Sequence, residues 1–228
     1  QLWAYHDHNG AKMRPKLLAA LSAGQTIALV SDAGTPLISD PGYKLVAACH
    51  ENNIAVTAAP GPSAPVMALT LSGLPSDRFT FNGFLPQKQK AARAVISESR
   101  ALPMTQIWFE TPRRLAGTLQ LMAELLGDRQ CVVARELTKL HETLHRGSLS
   151  ELAASFGADT PPKGELVLVV DGADKDSQQM SLHDVEVQLA ELLQTASVRD
   201  AVQEVEMLSG LSRKQIYQLA LKLDKDNQ

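Results

Sequence analysis

Arg135, Glu136 and Lys139 set a guanidinium, a carboxylate and an ammonium close together in Ala134-Arg135-Glu136-Leu137-Thr138-Lys139. Such a set can grip a phosphate or relay a proton to and from a weakly acidic hydroxyl. Asp32 and Asp40 bracket a second candidate, Ser31-Asp32-Ala33-Gly34-Thr35-Pro36-Leu37-Ile38-Ser39-Asp40-Pro41-Gly42, whose small side chains leave the backbone bare for close approach of a ligand. Each has an ordinary alternative. Glu and Lys just past a strand are commonly solvated loop charges, and an Asp in a Gly/Pro loop commonly caps its own backbone. His6 and His8 flank Asp7 and imitate a metal cluster, but with no third well-placed ligand they read as an exposed strand end. No metal is expected.

Two strand-loop-helix units must position these groups. Ile27-Ala28-Leu29-Val30 runs into the Asp32 loop, and Ile54-Ala55-Val56-Thr57 runs into Pro60-Gly61-Pro62-Ser63-Ala64 and an Ala/Leu-rich helix. In succession they predict a parallel sheet with a ligand crevice at the carboxyl ends of its strands, although either alone fits an ordinary connection. Helices are expected over 13–23, 43–51 and 64–71, with Gly24 and Gly73 at carboxyl caps. Residues 1–77 thus read as one α/β block. A second block, 78–172, shows strands over 79–81, 105–109, 131–134, 142–145 and 165–170 and helices over 89–99 and 113–126. The latter helix has Thr111 as N-cap, Pro112 as first helical residue and Gly127 beyond its end.

Beyond Gly172 the composition turns polar over 173–179, and three helical patterns fill the rest of 173–228. Ser197 and Ser212 look like N-caps, the latter with Gln215 at the capping-box offset. The apolar spacing from Ala201 to Tyr217, with Gly210 at the turn, is that of a helix-turn-helix, which is either a nucleic-acid reader or a plain packing pair.

Composition narrows the class. The 228 residues are 44% hydrophobic, enough for a sizeable core, and no apolar run approaches a membrane span. The amino terminus lacks a signal-like pattern, so a cytoplasmic chain without membrane partners is expected. Cys49 and Cys131 form no Cys-x-x-Cys pair and read as buried thiols, which excludes a disulfide framework. A net charge of −3 argues against affinity built mainly on phosphate neutralisation. Basic residues do gather at Lys88, Lys90 and Arg93, at Arg113 and Arg114, and at Arg213 and Lys214, where each group is either a local patch or a solvated face.

The Asp32-to-Gly42 and Pro60-to-Ala64 loops, Gly73-Leu74-Pro75-Ser76-Asp77-Arg78-Phe79, Gly83-Phe84-Leu85-Pro86, the Ala134-to-Lys139 run and Lys163-Gly164-Glu165-Leu166-Val167-Leu168-Val169 follow one another as in a known family. The chain resembles the bacterial 16S ribosomal RNA cytidine 2′-O-ribose methyltransferases of the tetrapyrrole methylase superfamily, from its first residues to about Gly172. The resemblance implies a two-domain α/β tetrapyrrole-methylase-like fold with a small C-terminal helical extension. It implies S-adenosylmethionine as cofactor, the small ribosomal subunit as partner and a homodimer. Carried over by motif, Asp32, Gly34, Thr35, Ile38, Pro60, Ser63 and Ala64 hold the cofactor, Glu110 and Leu137 close over its adenosine, and Arg135, Glu136 and Lys139 serve the acceptor hydroxyl.

One part of the family pattern has no counterpart here, namely a first strand with a Thr-Pro-Ile-Gly-Asn-Leu type loop and a following Glu-Asp-Thr-Arg type segment. That loop walls the cofactor cleft, so the resemblance implies weak or absent cofactor binding by this chain. Two rival functions remain at this level: methylation of a tetrapyrrole, and non-catalytic nucleic-acid binding through the C-terminal helix pair. Gly34-Thr35-Pro36 stands where tetrapyrrole enzymes carry Gly-Asp-Pro, which favours the RNA branch.

Overall fold

The computed structural model describes residues 1–157, 161–174, 182–193, 196–209 and 213–226. Five strands form one sheet: β1 (Phe79–Phe84), β2 (Thr105–Glu110), β3 (Gln130–Arg135), β4 (Thr143–Ser148) and β5 (Leu166–Val170), in the spatial order β1-β2-β5-β3-β4. β1 and β2 are parallel, and the other three pairings are antiparallel. The sequence pattern explains the order. β5 is five apolar residues, all buried, as befits a strand covered on both faces and flanked on both edges.

Alternation along the strands feeds two cores. Trp108, Val133 and Leu168 point to one side, where helices α4 (Gln89–Glu98), α5 (Leu115–Leu126) and α6 (Leu149–Phe156) bury Ile96, Leu119 and Leu152 against them. Ile107, Val132, Val167 and Val169 point to the other, where they meet Ala68 and Leu69 of α3 (Ala64–Ser72). That contact anchors α3 on the sheet and so fixes where its amino terminus opens. A third cluster joins α1 (Gly10–Ser22) to α2 (Tyr43–Glu51) through Leu17, Leu45 and Cys49, with Trp3, Ile27 and Ile54 packed on it.

Three expectations need correction. The segments 27–30 and 54–57 do not form strands, because among the described residues no neighbouring strand offers them a ladder. Ile27 and Ile54 still pack inward, while Val30 is 75% exposed. The helix after Pro112 starts later than its sequence signals suggest. Thr111 donates its N–H to the Glu110 carboxylate (2.7 Å), residues 112–114 form a turn, and Arg114 is the N-cap of α5. Finally, α6 was absent from the expected elements, although Ser148 and Glu151 make a full capping box at its start.

The C-terminal helices α7 (Leu182–Leu192), α8 (Val198–Ser209) and α9 (Arg213–Asp226) pack on one another through Val185, Leu189, Val202, Val205, Ile216 and Ala220. Ser197 caps α8, accepting from the Asp200 N–H at 3.3 Å and donating to its carboxylate at 2.7 Å. The expected turn at Gly210 and cap at Ser212 lie outside the described residues.

Candidate active site

A groove of about 480 Å³ opens where the 32–40 loop, the amino terminus of α3, and the ends of β1, β2 and β5 converge. Its first wall is Asp32, Ala33, Gly34, Thr35, Ile38, Ser39 and Asp40 with Ser63, Ala64 and Pro65. The two loops meet directly, since the Thr35 hydroxyl donates to the Pro62 carbonyl at 2.7 Å. Leu37 and Ser39 adopt positive φ (74° and 62°), which turns this stretch sharply instead of letting it run on extended. Ser63 caps α3 without a side-chain hydrogen bond to the helix, so the first-turn N–H groups have no side-chain acceptor of their own.

Phe84, Phe109, Glu110, Thr111, Pro112 and Gly164 to Val167 make the opposite wall. Glu110 contributes stiffness there. Its side chain is fully buried and accepts from the Thr111 N–H, from the Thr118 hydroxyl (2.5 Å) and, at 3.6 Å, faces the Arg114 guanidinium. A buried carboxylate with those partners organises the turn into α5.

Behind Gly164 and Glu165 sits an ionic clamp. The Glu136 carboxylate accepts from the Glu165 N–H at 2.8 Å and from Lys139 at 3.0 Å, and Lys139 also pairs with the Glu165 carboxylate at 3.1 Å. Arg135 Nε donates to the Lys163 carbonyl at 2.6 Å. The Glu165 N–H first, and Lys139 next, hold the Glu136 carboxyl below its ordinary value, while Glu136 and then Glu165 push the Lys139 ammonium up. Glu136 and Thr138 both adopt left-handed backbone (φ 50° and 66°). Gly164 is required here, at φ 102°, because a Cβ would overlap the Glu136 carboxylate.

The structure therefore gathers Asp32, Gly34, Thr35, Ile38, Ser63, Ala64 and Glu110 around one groove, together with Asp40. Pro60 is exposed outside that lining, and Leu137 packs against the Ile107 and Val167 core. Arg135, Glu136 and Lys139 also stand outside the lining, gripping the segment that forms it. His6 and His8 are exposed and meet edge to face at 6.0 Å. Sequence reasoning did not assign Phe84, Phe109, Thr111, Pro112, Gly164 or Glu165 to the site. The available signals were the Gly83-Phe84-Leu85-Pro86 and Lys163-Gly164-Glu165 motifs.

Comparison with known proteins identifies the family. The pattern of the tetrapyrrole (corrin/porphyrin) methylases matches residues 6–153, and that of the RsmI C-terminal HTH domain matches residues 180–224. The chain belongs to the tetrapyrrole methylase family and is a methyltransferase whose methyl donor is S-adenosylmethionine. It is 44% identical, over 96% of its length and 74% of the relative's, to the ribosomal RNA small subunit methyltransferase I of Mesorhizobium japonicum. Identity to the protein of the same name from Synechocystis sp. is 45% over 98% of this chain and 81% of that one. Among solved structures, the methyltransferase CobJ shares the fold with a TM-score of 0.52, at 16% identity over 70% of each chain.

The groove suits the donor. Its volume lies in the ordinary range for small-molecule sites, roughly 300–1,000 Å³. The amino end of α3 offers N–H groups to a carboxylate, Thr35 and Ser63 offer hydroxyls, and Ile38, Phe109, Leu166 and Val167 offer an apolar surface.

Proposed function

We propose that this chain methylates the ribose 2′-hydroxyl of a cytidine in 16S ribosomal RNA, acting as a cytoplasmic homodimer on the small ribosomal subunit. The observation that carries the reading is the meeting of two backbone-rich loops, joined by Thr35 and Pro62, over one groove at the amino end of a helix. The names of the relatives supply the substrate class. When bound, the donor supplies an electrophilic methyl and a neutral leaving group, so the protein's task is position and exclusion of water.

Asp32, Gly34, Thr35, Ile38, Ser63 and Ala64 hold the donor's amino-acid and ribose parts and the segment around Glu110 bounds its adenosine side, while Pro60 and Leu137, outside the lining, act only as support for it. Ser63 and the α3 N–H groups take the carboxylate. Asp32 and Asp40 are the groove carboxylates from which an acceptor hydroxyl can find a hydrogen-bond partner, since Glu110 is committed to Thr111 and Thr118 and Glu165 to Lys139. Arg135, Glu136 and Lys139 act by holding the Gly164–Glu165 wall. The C-terminal helices add a nucleic-acid contact, a role supported by their match to an HTH domain.

Mapping ribose methylation in ribosomal RNA from cells lacking this protein tests the proposal. Loss of one 2′-O-methylcytidine from the small-subunit RNA is the expected result. An unchanged map, with a tetrapyrrole methylation lost instead, overturns it.

A further inference from the structure

Phe84 lines the donor groove and is 54% exposed, so its ring is open to a ligand there. The chain has five phenylalanines, and four of them, Phe79, Phe81, Phe84 and Phe109, sit on β1 and β2. Phe109 packs against both Phe81 (centroids 5.0 Å apart) and Phe84 (5.2 Å, rings tilted by 54°).

The backbone is built to aim this ring. The β1–β2 register is parallel and regular from Phe79 to Phe81, then slips so that Phe84 stands opposite Phe109. Gly83, at φ 63°, makes the irregularity and lies against Ser39 of the groove loop. Bulges of this kind redirect a side chain beside functional sites. The following residues are pinned, since the Arg114 guanidinium donates to the carbonyls of Leu85 (3.0 Å) and Pro86 (3.1 Å). Exposed Lys88 and Lys90 come next in the chain, and exposed Arg113 follows the groove residue Pro112.

We propose that Phe84 is the stacking platform for the base of the acceptor nucleotide, with Lys88, Lys90 and Arg113 meeting the phosphates on either side. The inference rests on the RNA reading above and deepens it. A ribose whose 2′-hydroxyl enters the groove carries its base to the groove's edge, and an exposed aromatic ring with cations close by in the chain is the pairing used for unstacked nucleotides. Stacking tolerates any flat ring in place of phenyl but not an aliphatic chain of similar bulk.

The test uses small ribosomal subunits purified from cells lacking this protein, tritiated S-adenosylmethionine, and four forms of the full chain: unaltered, Phe84→Ala, Phe84→Leu and Phe84→Trp. Methyl incorporation gives kcat/KM for the subunit, and calorimetry gives the donor Kd. A loss of about tenfold or more for Phe84→Ala and Phe84→Leu, near-full retention for Phe84→Trp, and a donor Kd that moves far less than kcat/KM are expected, since Phe84 is also part of the donor groove. Full activity of Phe84→Leu, or donor affinity falling in step with activity, overturns the platform. So does a change in oligomeric state that alone accounts for the loss. Absence of incorporation by the unaltered chain, despite measurable donor binding, overturns the RNA reading and the platform with it.

Discussion

Thr35 is the residue on which the site's first wall turns, because its hydroxyl is the hydrogen bond between the two loops. Thr35→Val keeps the shape and removes the donor. A net hydrogen bond of about 1 kcal/mol translates to roughly fivefold weaker S-adenosylmethionine binding by calorimetry, with little change in thermal stability. Unchanged affinity would show that other contacts hold the loops together. On the opposite wall Gly164 bears two constraints at once, a left-handed backbone and the volume taken by the Glu136 carboxylate. Gly164→Ala should lower unfolding free energy by about 1–3 kcal/mol in urea titrations and release the Glu136–Glu165 contact. A variant as stable as the parent would mean that the clamp readily yields.

At the scale of elements, two acidic contacts give the fold a pH signature. The Glu136 carboxyl is lowered by the Glu165 N–H and Lys139, and that of Asp128 by the hydroxyl and then the N–H of Ser150 at the start of α6. Groups lowered on folding contribute fully above the ordinary carboxylate range and lose that contribution as pH falls through the lowered value. Lys139 is raised, so its share persists below the ordinary lysine value and disappears at higher pH. The clamp and the α6 cap should therefore hold between about pH 5 and 10 and loosen on acidification below about pH 4, read as faster amide exchange at Ser150 and Glu165. Exchange rates at those amides that track the remainder of the protein would refute it.

The elements themselves differed in how plainly the sequence announced them. β1, β2 and β5 were legible because they are rich in β-branched or aromatic residues and bounded by turns, and both faces of β5 are apolar. The segments 27–30 and 54–57 have the same composition but no ladder, since strand formation depends on a neighbour as much as on side chains. Thr111 and Pro112 form a plausible helix start, yet the buried Glu110 carboxylate competes for the Thr111 N–H and the helix begins three residues later than that first-residue signal predicts, at Leu115. The loops of the site were visible from their glycines and prolines. Its second wall was not, because Phe84, Thr111 and Glu165 meet only when three separate strand ends come together.

For the molecule as a whole, the three C-terminal helices have a core of their own, from Val185 to Ala220. A chain ending at Asp174 should keep the sheet's thermal transition, while its affinity for small-subunit RNA in gel shifts falls about tenfold. Binding that resides wholly in the removed helices would point instead to a non-catalytic RNA-binding protein. The order of the sheet has a consequence for its birth on the ribosome. Among the described strands β5 is the last to be synthesised, yet it is the one that joins β2 to β3. Until residue 170 emerges, the nascent polypeptide holds two half-sheets with sticky, unsatisfied borders, and no productive docking of either half can precede it. An enzyme that tends ribosomes is thus itself among the products whose safe release depends on late, long-range closure.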